Sequence, residues 1–509
     1  MAFFQLSYHV KIYLIEFYSN NQPANVVLCL SDEANTLVSH YIELIPEKAY
    51  FNIQNSYSVQ TAGGVLECEY KTNLNNFTVT IPTDCNWVRL VNITQNKIQF
   101  FIDENPELFT RRTNIIISNN EINSIVYAKI EVLQRGLQNT TYVGDIDFFT
   151  QEEVDNFAAQ NYSIITGNLL FTGPDIINIP DFSFLTTING CIKFNTCTAI
   201  NNIQGFNDLT TLNGGIEIFN CPNLTEITGF NSLIVIDGSN YSYGGIHIQD
   251  CNSLKKISTF NSLKTLASVI YLEGNLKSLE TIDGFTNLNT VSSWISIRGT
   301  DKLVNLSGLS NLKNVGSEIS IDAGIKNLSF LSNIQTLEAL NLKCPNLETM
   351  SHISNMNIER WLSLSNCIKL NDLNLKKIPK QWEGLYLKNC NSLKSADNLK
   401  ELYSIGRLEI SGALPQAVIE GLSNLKIVRQ RLALENISSL YNLNFLSAIV
   451  SIGAESGFNQ RLVIKDNINL TDFSGIKNAI SPSLNALITG NAYNPTIADI
   501  INGKTSQTN

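Results

Sequence analysis

A chain of 509 residues is longer than one compact core supports, so several domains or a repeat array are expected. Its 35 basic and 45 acidic residues leave a net charge of −10 with no long run of one sign, which excludes the basic footprint that nucleic acid requires. No apolar run reaches the roughly 18 residues that span a bilayer as a helix, so no transmembrane helix is expected.

Residues 1–55 open on a strand pattern. Phe4, Leu6, Tyr8, Val10, Ile12 and Leu14 alternate with more polar neighbours, the period of two of a half-buried strand. The turn-forming segment 20–25 separates it from a second apolar strand over 26–30, and residues 36–45 extend the sheet. So few strands are marginal alone, which makes this stretch either a small β-domain or a docking element for a partner. The N-terminus is not a secretory signal, because it lacks a basic region and Gln5, Ser7, His9 and Lys11 interrupt any apolar core. The chain is therefore expected to reach the outside either without a leader, as a virion protein released by lysis does, or after loss of one.

Residues 56–136 read as a second β-domain. Short alternating strands over 66–70, 77–81, 98–102 and 125–132 are separated by regular turn clusters, the signature of a β-sandwich. Gly63-Gly64, Trp87, Asn105, the Arg111-Arg112 pair ahead of Ile115, and the closing Gln134-Arg135-Gly136 resemble a BACON domain. BACON domains are immunoglobulin-like modules of gut Bacteroidota and of their crAss-like phages. The resemblance implies either carbohydrate binding or a spacer role. Trp87 reads as a core tryptophan, with sugar stacking as the alternative.

Residues 137–167 form a junction. Thr150 and Glu153 make a capping box for one short helix, which is expected to cover the open end of whatever follows.

From residue 168 to the C-terminus one unit recurs, as in Gly215-Ile-Glu-Ile-Phe219 followed by Cys221, Leu224, Ile227, Phe230, Leu233 and Ile236. Successive units start roughly 21 to 30 residues apart, the period of a leucine-rich-repeat solenoid. The recurrent Gly205-Phe206, Gly229-Phe230 and Gly284-Phe285 pairs resemble receptor-L-type leucine-rich repeats of Bacteroidota surface proteins, a likeness that implies binding without enzymatic chemistry. The fold class is thus mainly β: an N-terminal β segment, an immunoglobulin-like sandwich, and a solenoid with a parallel sheet face. Residues 503–509 are the one stretch expected to be disordered.

Ten cysteines suggest a disulfide set until they are aligned. Cys197, Cys221, Cys251, Cys367 and Cys390 share one repeat position, Cys344 sits one residue early, and Asn275, Thr300, Asn467 and Asn491 fill that position elsewhere. They read as reduced, buried thiols that hydrogen-bond the loop backbone of the next coil, with no zinc spacing.

Alternation in each strand leaves one face exposed, about thirteen strands and roughly 60 Å long. It is wide enough for a protein or an extended glycan, and no deep cofactor pocket is expected. Phe219, Tyr271, Trp294, Trp361 and Tyr386 place aromatic rings on this face, and Arg407, Arg431 and Arg461 form a basic column. Flat rings stack on sugars and guanidinium groups grip acidic ones, so these eight residues are the candidate ligand contacts. The bland alternative is a solvated solenoid surface. Insertions before the strands at 239–244 and 454–459 are expected as loops on one side.

Four histidines, far apart in sequence, show no metal or triad spacing, and only His247 falls on an exposed strand position. No catalytic residue, metal or cofactor is expected. The reading is a non-catalytic recognition or adhesion protein, virion-borne, binding a bacterial surface glycan or surface protein and docking to virion proteins through residues 1–55. An adhesin on the bacterial cell surface and a purely structural virion decoration are the alternatives, and a homo-oligomer stays open.

Overall fold

The computed structural model describes residues 11–12, 26–31, 37–42, 50–74, 76–107, 110–118, 126–136, 139–239, 244–394, 396–455 and 459–507. The fold is mainly β, and the chain divides into two compact units, Met1–Gly136 and Leu137–Asn509.

In the first unit, strands Lys11–Ile12, Val26–Ser31 and Leu37–Ile42 pair antiparallel. The rest of the strand expected over 4–14, and the turn over 20–25, lie outside the described residues. Further on, two four-stranded sheets share one apolar core that includes Phe51, Cys68, Phe100, Ile115 and Ile130. The residues behind the BACON resemblance converge on one polar lock. Trp87 is buried, with the Arg111 guanidinium 4.5 Å over its ring. Arg111 also donates to the carbonyls of Asp103 and Glu104, both at 2.9 Å, and to Gln134 Oε1 at 2.9 Å. Gln134 Nε2 in turn donates to the Asp103 carbonyl at 2.6 Å, and Asn105 Nδ2 to the Arg135 carbonyl at 3.1 Å. Gln134 Nε2 also reaches the carbonyls of Gln60 and Thr61, so these polar side chains satisfy backbone carbonyls of three segments at once.

The second unit is a solenoid-like coil of parallel strands. Its long sheet has sixteen strands, from Ile146–Phe148 to Ala486–Thr489. Residues 137–167 are more than a junction, because Ile146–Phe148 opens the long sheet and Asn139–Tyr142 opens an eight-stranded second sheet. Helix Gln151–Ala158 carries the expected capping box, and its Val154 and Phe157 enter the common core. A third sheet of two-residue strands runs from Asn202–Ile203 to Thr281–Ile282. Beyond residue 306, short 3-10 helices such as Ser307–Leu309 and Ser329–Leu331 appear between the strands of the long sheet.

Three stacked arrays hold the coils in register. Leu169, Ile192, Ile216, Ile246 and Ile270 form one inward column, continued to Leu432 and Leu462. The Phe residues of the three Gly-Phe pairs join Phe182 and Phe260 in a spine in which Phe182, Phe206, Phe230, Phe260 and Phe285 stack at centroid spacings of 5.2, 5.1, 5.4 and 4.9 Å. Where glycine precedes a spine ring the coils touch: a Cβ on Gly229 would lie 2.7 Å from the Gln204 backbone.

The third array is the Cys/Asn ladder. Its residues follow a backbone position in the left-handed region, held by Asn220, Asp250, Asn366, Asn389 or Asp466, or by Gly274 and Gly490. The side chain then turns inward to the strand of the preceding coil, not to the next coil's loop as expected. Cys197 Sγ lies 3.2 Å from the Phe171 carbonyl, Cys367 Sγ 3.6 Å from that of Leu342, and Asn467 Nδ2 3.0 Å from that of Leu434. Two positions differ: Asn275 is exposed, and Thr300 bonds forward to the Asp322 carbonyl at 3.0 Å. Burial pushes the Cys344 thiol well above its ordinary range, which keeps it protonated. A thiol reagent at pH 8 is therefore expected to modify the half-buried Cys85 before Cys197, Cys221, Cys251, Cys344, Cys367 or Cys390, which react only after denaturation. Peptide mapping by mass spectrometry after timed quenching checks the order.

Asparagine edges the coils as well: Asn223, Asn311, Asn333 and Asn424 each donate a side-chain amide to a carbonyl one coil back. The tail is docked rather than disordered through residue 507, since Phe473 N–H donates to the Thr505 carbonyl at 2.8 Å. Helix Ile497–Ile501 places Ile500 in the terminal core.

Candidate recognition site on the long sheet

The outer face of the long sheet divides by its polar contacts. In the first half it is closed on itself. Lys193 Nζ reaches the buried Glu217 at 2.9 Å. His247, expected on the surface, is only 7% exposed. Its Nε2 sits 3.0 Å from the Gly244 carbonyl and its ring stacks on Tyr271 at 5.2 Å. Tyr271 Oη donates to Glu273 at 2.8 Å, Ser296 Oγ donates to the same carboxylate at 2.6 Å, and Arg298 Nη2 donates to Ser320 Oγ at 2.9 Å. Tyr271 is thus held inside a network, while Phe219 is half-buried and Trp294 is 43% exposed.

Burial holds the His247 imidazole below its ordinary pKa, with the Gly244 carbonyl and Glu217 working the other way. A histidine depressed in the folded state contributes stability at neutral pH that is lost as pH falls below the unfolded value of about 6.5. Thermal denaturation from pH 7.5 to 5 is expected to show this loss, and His247→Gln to flatten the slope over that window. An unchanged slope in the variant would remove His247 as the cause.

The second half of the face is different. A hollow of about 370 Å³ opens across six strands and is lined by Glu318, Asn341, Trp361, Ser363, Glu383, Tyr386, Arg407 and Gln430. The flat face expected from sequence is therefore indented here. Small residues stand beside the two aromatic rings in register. Ala339 and Gly384 flank Trp361 in register, and Ser363 flanks Tyr386. Gly384 also gives the tyrosine its bed, since a Cβ there would meet Tyr386 Cε2 at 2.6 Å. Two register shifts re-aim neighbouring side chains. The one after Leu337 sets Arg360 beside Glu338 and Glu383, at 3.5 and 2.8 Å. The one after Ile405 lets Gln430 Oε1 accept from Arg407 Nε at 3.0 Å. Arg360 lies 4.8 Å over the Trp361 ring, fixing it as a platform.

The arginine column is only partly at the hollow. Arg407 lines it, whereas Arg431 donates to the Gln460 carbonyl at 2.7 Å and contacts Glu409 at 3.4 Å. Arg461 donates to the Gly453 carbonyl at 2.8 Å. Those two bond carbonyls at the ends of the insertion at 454–459, of which residues 456–458 lie outside the described residues, as do 240–243 of the other insertion. Of the eight residues singled out by sequence, the structure brings Trp361, Tyr386 and Arg407 together. It adds Glu318, Asn341, Ser363, Glu383 and Gln430, which carry no sequence signal beyond their outward strand positions.

Within the hollow Glu383 is paired with Arg360 at 2.8 Å. Among the described residues no cluster of His, Cys, Asp and Glu could hold a metal ion, and no helix is long and apolar enough to cross a membrane. No protein-family model matches the chain, and no curated protein matches its sequence.

Proposed function

We propose that the chain is a non-catalytic recognition protein whose long sheet binds a glycan of a bacterial surface through the Trp361–Tyr386–Arg407 hollow. The convergence of these three residues on one hollow carries the reading. A half-exposed indole backed by a guanidinium offers an apolar plate, and the surrounding amide, hydroxyl and carboxylate groups offer directed hydrogen bonds. The polar lock around Trp87 supports reading residues 56–136 as an immunoglobulin-like, BACON-type spacer, because its tryptophan and arginine serve the fold. The Cys/Asn ladder and the phenylalanine spine support the leucine-rich-repeat reading of the second unit. Display on a virion or on a bacterial cell suits both resemblances.

The test is binding of the full chain to an immobilised panel of bacterial surface polysaccharides. Retention on at least one polysaccharide, reduced tenfold or more by Trp361→Ala, is the expected result. A blank panel would instead favour a structural decoration whose repeats bind nothing.

A further inference from the structure

Resting on that reading, the geometry points to the ligand class: we infer that the hollow takes an uncharged oligosaccharide, lying across the strands, and discriminates against acidic sugars. Two observations carry this. The first is charge. Glu338 and Glu383 share Arg360, at 3.5 and 2.8 Å, so one cation answers two carboxylates. Arg407 keeps its charge while bonding the neutral Gln430 at 3.0 Å. Glu318 lines the hollow with no ion pair among the described residues, so three carboxylates (Glu318, Glu338 and Glu383) stand against two guanidinium groups (Arg360 and Arg407), which leaves the wall one negative charge in excess. A uronate or sialate would bring a second carboxylate next to it in a partly desolvated space, and like charges there repel. A hydroxyl-rich neutral sugar instead donates to Glu318 and stacks an apolar ring face on Trp361.

The second observation is extent. The lining runs from Glu318 to Gln430 over six adjacent strands, a span of roughly 24 Å at the usual strand spacing. One sugar ring cannot touch both ends. Trp361 stands on the third of these six strands, so lining residues lie on both sides of its platform and a chain of several sugars can touch them together.

The experiment uses the full chain against matched mono-, di- and trisaccharides, both neutral and uronate-containing, at 0.15 M salt. Neutral trisaccharides are expected to bind at least tenfold more tightly than their acidic counterparts and than single sugars. Glu318→Gln is expected to narrow the neutral-over-acidic preference by threefold or more. Gly384→Ala displaces the Tyr386 ring and Ser363→Phe fills the hollow. Each is expected to remove binding with the thermal midpoint unchanged. Tighter binding of acidic sugars, or indifference to both Gly384→Ala and Ser363→Phe, overturns the inference while leaving glycan recognition standing. Absence of binding to every neutral and acidic sugar overturns both.

Discussion

Replacing Phe230 with alanine is expected to destabilise the second unit by about 4 kcal/mol, the range for deleting a buried phenylalanine. Its ring is fully buried between Phe206 and Phe260, at 5.1 and 5.4 Å and within 5 and 7° of parallel. Alanine there empties one rung of the spine, and the coils on either side cannot collapse onto the gap. Their separation is set by strand hydrogen bonds on the long sheet and by the close backbone approach at Gly229. Phe230→Leu refills most of the volume and is expected to cost less than half as much. Because each coil touches only its neighbours, the loss should be local. Hydrogen exchange is expected to show reduced protection around 200–290 and unchanged protection beyond 404. An alanine variant within 1 kcal/mol of the parent, or uniform loss of protection along the coil, would mean the spine does not hold the register.

The repeat was legible because inward positions obey a strict pattern. Strand alternation placed Ile216 and Ile218 inward, and Leu224, Ile227, Phe230, Leu233 and Ile236 also fall in one core. The outward positions obey no such constraint, and there the sequence informs less. Tyr271 and His247 look exposed by alternation, yet their rings stack on each other from adjacent coils, and Tyr271 is also held by Glu273 on its own strand. The hollow was illegible for a further reason: small residues beside the rings, Ala339 and Gly384 next to Trp361 and Ser363 next to Tyr386, leave the rings room, and absence of bulk has no motif. The two register shifts beside it arise from pairing between strands, so they follow no periodicity within either strand. The start of the coil was set too late because helix Gln151–Ala158 follows Ile146–Phe148 in place of the repeat's own turn, so the first coil does not show the recurring pattern.

Asn467→Ala is expected to cost about 4 kcal/mol, well above the roughly 1 kcal/mol of Cys367→Ala at the equivalent ladder position. Both side chains are buried and both reach back to a strand carbonyl, Leu434 at 3.0 Å and Leu342 at 3.6 Å. They differ in what else they satisfy. Asn467 Oδ1 accepts the Ile437 N–H at 2.9 Å, and its Nδ2 also donates to Asn491 Oδ1 at 2.9 Å. Alanine strands the Ile437 N–H and the Leu434 carbonyl together, where water has no access, at about 1–3 kcal/mol for each group. A thiol is a weak donor and weak acceptor, so its removal forfeits a weaker bond and a small buried volume. Asn467→Cys should therefore recover only part of the loss, although cysteine is the commoner residue in this array. The ladder then has two grades: thiols where the core alone suffices, and amides at the C-terminal coils, where Asn491 continues the chain by donating to the Ile464 carbonyl at 2.8 Å. Urea denaturation of the three variants measures the difference. Equal costs for Asn467→Ala and Cys367→Ala would show that the ladder residues serve as volume, with their hydrogen bonds contributing nothing net.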